Sequence, residues 1–296
     1  RPEVVVLDAD LYNSTRSVLF KEKFPDRFFD MGISEADMVS TAAGLAATGL
    51  IPFCNSFAVF ITSIGYLPIR IQIAYPKLPV KLVGSSSGLT QGADGVSNQS
   101  IEDFGLMRGL PNMVVVSPAD AIETRKATFA IADWPGPVYF RLGRYPVPGI
   151  FDNSYDFQIG KATVLRKGTD VAIFSTGHMV AQSLEAADIL AKAGVDAEVV
   201  NVSTIKPIDQ ITVISSIQDK SLLVTVEEHN VICGLGSAIL ESISLVPGKA
   251  PLLKLGVQDC FGESASADEL LDIHRLKAKH IAADILSQIT LQGGKS

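Results

Sequence analysis

The sequence predicts an α/β protein with two consecutive domains of mainly parallel sheet. Three observations point there. Short unbroken apolar runs alternate with stretches of helical spacing along nearly the whole chain. That alternation is interrupted once, at Pro146, Pro148 and Gly149. The length of 296 residues matches two domains at roughly 150 residues each. The boundary divides the chain into residues 1–148 and 149–296.

The elements follow in order. Val4–Asp10 is an apolar run ending in acids, as a buried parallel strand would be, and Arg27–Gly32 is a second strand. Glu35–Leu50 carries small and apolar residues at helical spacing and ends near Gly49. Ile51–Phe57 reads as a strand. Ala58–Tyr75 reads as helix with a break at Pro68. Val80–Ser86 is a strand leading into a long polar, glycine-rich loop, Ser87–Gln99. Ile101–Leu110, Met113–Ala119, Glu123–Trp134 and Val138–Leu142 read as helix, strand, helix and strand. Beyond the boundary, strands are expected at Thr169–Thr176, Ala197–Ser203, Leu222–Glu228 and Pro251–Gly256. Helices are expected near Val180–Ala193, Ile208–Ile217, Leu235–Leu245 and Lys277–Ile289. The final GGKS is expected to fray.

Composition excludes several classes. Apolar residues make up 47% of the chain, enough for one or two large cores and too many for a disordered chain. The formal net charge of −7, with no basic run, argues against nucleic acid or a membrane surface as a partner. No apolar run reaches the roughly 18 residues of a membrane span. Cys54, Cys233 and Cys260 are far apart and give neither a disulfide framework nor zinc spacing. That fits a reducing cytoplasm. No leader is expected, since the chain opens in what reads as a strand.

In open parallel sheets, ligands sit at the carboxyl ends of strands. Those positions in the first half are polar and glycine-rich. Each has an ordinary reading. Glu35 suits a helix first turn, and Phe57 and Phe60 suit a core. Asp94 suits a turn, and Ser14 suits a helix N-cap. Arg141 and Arg144 suit strand-end surface charges.

Their joint order says more. DADLYNST, GISEADMVSTAAGLA, PFCNSFAVF, GADGVSNQSIEDFGLMR and RLGR follow one another, each at a strand end. Together they resemble the pyrimidine-binding domain of transketolase. The following half, with TIKPID (Thr204–Asp209) and GLGSA, resembles the transketolase C-terminal domain. The resemblance covers essentially the whole chain.

The resemblance implies thiamine diphosphate as cofactor. Glu35 falls where the family's glutamate hydrogen-bonds the aminopyrimidine and activates it. A carboxyl sharing a proton with a ring nitrogen is suited by a buried place. The family often has EQN there, and this chain has EAD. Phe57 and Phe60 match aromatics packed on the aminopyrimidine. Asp10 and Leu11 match residues beside the thiazolium. Ser14 and Arg144 match phosphate-binding residues of the sugar channel, with Arg141 in support. Asp94 matches an acid that binds a sugar hydroxyl.

Two positions depart from the family. Ser86 stands where transketolases usually carry a histidine that contacts the ketose, and Asn98 where a histidine or glutamine contacts the same sugar, so both positions lack imidazole. An altered, unusual or branched donor sugar phosphate is the expectation, with two-carbon transfer retained. The GDG and asparagine pair that hold diphosphate and Mg2+ are missing from this sequence. The metal ligands are therefore expected on an N-terminal transketolase subunit carrying the diphosphate-binding domain, in a heterotetramer. No metal is assigned to this chain itself. A truncated one-piece enzyme is the alternative to a split one. The same layout occurs in the β subunit of 2-oxo-acid dehydrogenase E1 and in deoxyxylulose-phosphate synthase. A non-catalytic regulatory homologue is a further reading. His229 reads as structural, and Cys54 as a small apolar filler.

Overall fold

A computed structural model describes residues 1–293. The strands are β1 (Val4–Asp8), β2 (Phe28–Asp30), β3 (Ile51–Phe57), β4 (Lys81–Ser85), β5 (Val114–Val116) and β6 (Val138–Arg141). Then come β7 (Thr163–Arg166), β8 (Val171–Ser175), β9 (Ala197–Asn201), β10 (Thr204–Lys206), β11 (Leu222–Asn230) and β12 (Leu252–Val257). They form two sheets, in the orders β10-β5-β6-β4-β3-β1-β2 and β12-β11-β8-β9-β7.

Pairing is parallel except at two edges, where β10 runs antiparallel to β5 and β7 antiparallel to β9. The inner strands are continuous apolar runs because helices cover both faces. In β8, all five residues of VAIFS are buried. One apolar core joins Leu7, Met38 and Leu82 of the first half to Phe174, Val200 and Leu223 of the second.

Several elements differ from the sequence reading. Ala58–Tyr75 is helical with a change at Pro68, as read, but in three short pieces. Helix Ala58–Ser63 gives way to a turn at Tyr66–Pro68 and then to π-helix at Ile69–Ala74. Pro68 has no N–H to continue an α-helical ladder, and the widened turn follows directly. The polar loop after β4 holds a 3-10 helix, Leu89–Asp94, interrupted at Gly92. Short helices at Tyr12–Thr15 and Val18–Lys23, strands β7 and β10, and helix Ala267–Ile273 were not expected. The GGKS tail lies largely outside the described residues.

For the site, one topological fact matters most. β1 is flanked by β2 on one side and β3 on the other, both parallel to it. The chain thus leaves β1 in one direction and returns on the opposite side. Such a reversal opens a crevice at the carboxyl ends of the strands.

Candidate active site

Glu35 enters this crevice from the loop after β2. It is the first residue of helix Glu35–Ala47, yet only 3% exposed, so it is not a solvated first-turn acid. Its Oε1 accepts a hydrogen bond from Ser56 Oγ at 2.8 Å. No other hydrogen bond to this carboxylate forms among the described residues, so Oε2 stays open to a donor. Ser56 lies on β3, itself fully buried, one residue before Phe57.

β3 runs directly into helix Ala58–Ser63. That junction puts Phe57 and Phe60 one turn apart on one face. Their rings are 5.9 Å apart and inclined by only 17°. The buried carboxylate, through Ser56, and the aryl pair are thus both tied to the carboxyl end of β3. Cys54, on the same strand, is fully buried in the core, and burial pushes its thiol pKa up.

Past β1 the chain turns sharply. Asp10 has φ +60° and is exposed, and Leu11 is half-buried. The turn is held by Asp8, a residue the sequence reading passed over. Its carboxylate accepts from Leu11 N at 2.6 Å, Thr15 Oγ1 at 2.7 Å and Ser17 Oγ at 2.8 Å. Burial raises its pKa, against the pull of those bonds. Ser14 is exposed inside helix Tyr12–Thr15, and the N-cap is Leu11, so Ser14 is not a cap.

The strand ends of β4 and β6 carry the third group. Ser86 is buried with φ +54°. Asp94 closes the 3-10 helix, and its Oδ2 lies 3.4 Å from Arg144 Nη1. Both side chains are about half exposed, 45% and 58%, so the pair is screened and open to a ligand. Gln91 joins them: its Nε2 donates to Asp94 Oδ2 at 2.5 Å and its Oε1 accepts from Arg144 at 3.3 Å. The sequence reading missed Gln91 because a buried glutamine in a polar loop has no local signature. Asn98 is half-buried, with its backbone N–H on Gly95 O.

Arg141 corrects an expectation. It faces inward, 4% exposed, and is not a strand-end surface charge. Its Nε donates to Asp103 Oδ2 at 2.7 Å and its Nη2 to Glu228 O at 2.9 Å. Tyr139 OH shares the same Asp103 oxygen at 2.6 Å. Despite burial, the Arg141 guanidinium leads the groups that hold the Asp103 carboxyl below its usual range. His229 is fully buried and packs against Phe104, as a structural histidine does.

Among the described residues, no group of three or more His, Cys, Asp or Glu side chains is gathered as a metal ion requires. No helix there is long and apolar enough to cross a membrane.

Two successive α/β units of this topology are the layout expected of a transketolase-type transferase subunit. The comparisons agree. The pattern described as "Transketolase, pyrimidine binding domain" matches residues 1–148, and "Transketolase, C-terminal domain" matches residues 160–281. This chain belongs to the transketolase family.

A Methanocaldococcus jannaschii protein assigned as a transketolase C-terminal section is 43% identical over 288 residues, covering 97% of this chain and 90% of that protein. A Clostridium protein described as a 6-deoxy-6-sulfo-D-fructose transketolase subunit is 42% identical over 278 residues, 94% of this chain and 86% of that one. A solved structure of a split-gene transketolase, an inactive β4 tetramer, superposes with a TM-score of 0.89 at 44% identity, covering 98% of this chain and 93% of that chain. A 1-deoxy-D-xylulose-5-phosphate synthase of Dictyoglomus turgidum is 34% identical over 97% of this chain, which spans only 46% of that protein.

Proposed function

We propose that this chain is the pyrimidine-binding subunit of a two-chain, thiamine-diphosphate-dependent transketolase. It would move a two-carbon ketol unit from a ketose phosphate to an aldose phosphate. One observation carries the reading: a buried carboxylate, tied down on one oxygen by Ser56, and a stacked aryl pair that starts at the next residue, at the topological switch point. An aminopyrimidine ring needs that combination, an acid for its ring nitrogen and flat apolar surface for its face.

When bound, thiamine diphosphate supplies a carbon nucleophile at its thiazolium C2. The chain's own residues do the rest. Glu35 would hydrogen-bond the pyrimidine nitrogen, and its burial would exclude competing water. Phe57 and Phe60 fix the ring plane. Asp10 and Leu11 border the thiazolium. Arg144 and Ser14 take the sugar phosphate, and a guanidinium fork with a hydroxyl suits phosphate oxygens. Asp94 and Asn98 receive sugar hydroxyls, with Ser86 at the ketose end.

The diphosphate and Mg2+ ligands are assigned to an N-terminal partner subunit, in a cytoplasmic heterotetramer. Relatives described as subunits and as a C-terminal section, which this chain matches over most of their length, support that division. So does the inactivity of the tetramer built from one subunit type in the related split-gene transketolase. The domain division at residue 148 follows the same reading. The unusual donor sugar rests on Ser86 and Asn98, with support from the relative described for a sulfonated fructose.

The test is reconstitution. The chain with its partner subunit, thiamine diphosphate and Mg2+ is expected to transfer two carbons between sugar phosphates, and the chain alone is not. Robust turnover by the chain alone would overturn the division. The synthase relative marks the second reading. A donor panel separates the two, because that reading predicts turnover with a 2-oxo acid and none with a ketose phosphate.

A further inference from the structure

The polar loop after β4 belongs to the first unit by sequence, but it is built onto the second. Leu89 is fully buried in a core made by β8, β9, β11 and their helices. Gln99 Nε2 donates to Glu263 O at 2.9 Å. Asn230 N donates to Ile101 O at 2.7 Å. At the centre is Glu228 on β11, 2% exposed, whose Oε1 accepts a short hydrogen bond from Thr90 N.

The fit between Glu228 and the loop is close. A Cβ on Gly88 would stand 2.6 Å from each carboxylate oxygen, and Gly88 has φ +79°, so only glycine lets the loop pass here. Oε2 lies 2.6 Å from Nε2 of His178, whose ring burial keeps neutral, its pKa lowered to about 3. Arg141 grips the backbone carbonyl of the same glutamate. Thr90 is followed by Gln91, and Gln91 holds both Asp94 and Arg144. A continuous line of contacts therefore runs from the second unit to the candidate sugar-binding pair.

We propose that Glu228 is a positioning residue: through the Thr90 N–H it sets the loop that presents Gln91, Asp94 and Asn98 to the sugar. This rests on the functional reading above for the identity of the ligand, but not for the anchoring itself. The second unit then has a defined task in substrate binding while contributing no atom to the substrate. Glu228 governs sugar affinity, while Glu35, at the start of its own helix, and the aryl pair at the end of β3 are left unaffected.

Two variants test it. Glu228→Leu keeps the approximate volume and leaves Thr90 N–H without an acceptor. Glu228→Gln keeps the acceptor oxygen and offers an N–H to His178. In the Leu variant, amide hydrogen exchange across Leu89–Asn98 is expected to speed up about tenfold, the scale of one lost buried hydrogen bond. In the complex with the partner subunit, KM for sugar phosphates is expected to rise about tenfold, with kcat within about twofold and cofactor affinity unchanged. The Gln variant is expected to restore both readouts. Exchange is read on the full chain without turnover, so it decides the anchoring even if the sugar assignment fails. Unchanged loop exchange in the Leu variant overturns the proposal. So does faster exchange spread through β8, β9 and β11 with KM, kcat and cofactor affinity all worsened, because that pattern is general loss of packing.

Discussion

Ser56 Oγ donates to Glu35 Oε1 at 2.8 Å, and both side chains are buried. The bond fixes one carboxylate oxygen and leaves the other facing the crevice. Ser56→Ala is expected to lower kcat/KM about tenfold, the worth of one buried hydrogen bond. Glu35→Gln is expected to cost on the order of 10²–10⁴ in kcat, the range of a positioned acid or base. Steady-state assays with the partner subunit check both, alongside circular dichroism to show that the fold is kept. Wild-type rates in Glu35→Gln would remove the residue from its role.

Arg144 shares Gln91 and Asp94 across a half-exposed gap. Its Ala variant is expected to raise KM about tenfold or more for phosphorylated sugars, through loss of a charge-assisted contact. KM for the unphosphorylated sugars is expected to stay near wild type. The ratio of the two KM changes is the measurement, and equal changes would take the phosphate away from Arg144.

Phe57 is 6% exposed, and Phe60 is half-buried. Phe57→Ala is expected to destabilise the fold by about 3–5 kcal/mol, as large core truncations do. Phe60→Leu keeps apolar volume but removes the flat ring. It is expected to weaken thiamine diphosphate binding several-fold with little change in the unfolding midpoint, read by calorimetric titration and thermal melts. A melt shift without any change in affinity would make Phe60 a plain core residue.

A fourth expectation concerns pH. Glu227 is fully buried and accepts from Leu235 N at 2.6 Å and Gly236 N at 2.9 Å, at the start of helix Leu235–Ser242. Burial pushes its pKa from 4.5 up to about 7, against the pull of those N–H groups. A folded-state value above the unfolded one gives a contribution complete below the unfolded value and lost as pH rises through the folded one. Glu227→Gln has no such titration. Wild type's lead in unfolding midpoint over this variant is therefore expected to shrink between about pH 5 and about pH 8. A gap that is flat or widens over this range would contradict the assignment. Gly234→Ala would drive a Cβ into the Glu227 carboxylate and His229, and is expected to cost about 1–3 kcal/mol or more.

The inner strands were legible because two-sided burial writes itself as an apolar run, as in Val171–Ser175. Ile51–Phe57 was placed to the residue. β10 was not legible. Its three residues pair with β5, about ninety positions earlier, and no local pattern carries so distant a register. Helix Ala267–Ile273 had a readable start in Ser266 and Glu269, a capping box, which went unused.

The candidate site divides the same way. Glu35, Phe57 and Phe60 were singled out because resemblance and strand ends pointed the same way. Arg141 was misjudged because its partner, Asp103, is 38 positions away and turns the guanidinium inward. Ser56 and Gln91 are single small or polar residues whose partners only the tertiary structure brings near.

The pairing of Thr204 with Val116 has a further consequence, for synthesis of the chain. An emerging first half would have every strand of its sheet except the one that covers β5. Until residues near Lys206 leave the ribosome, β5 remains an open edge able to pair with a neighbouring chain. The first unit therefore cannot close its sheet ahead of the second, and the dangerous interval lies between the synthesis of β5 and that of β10.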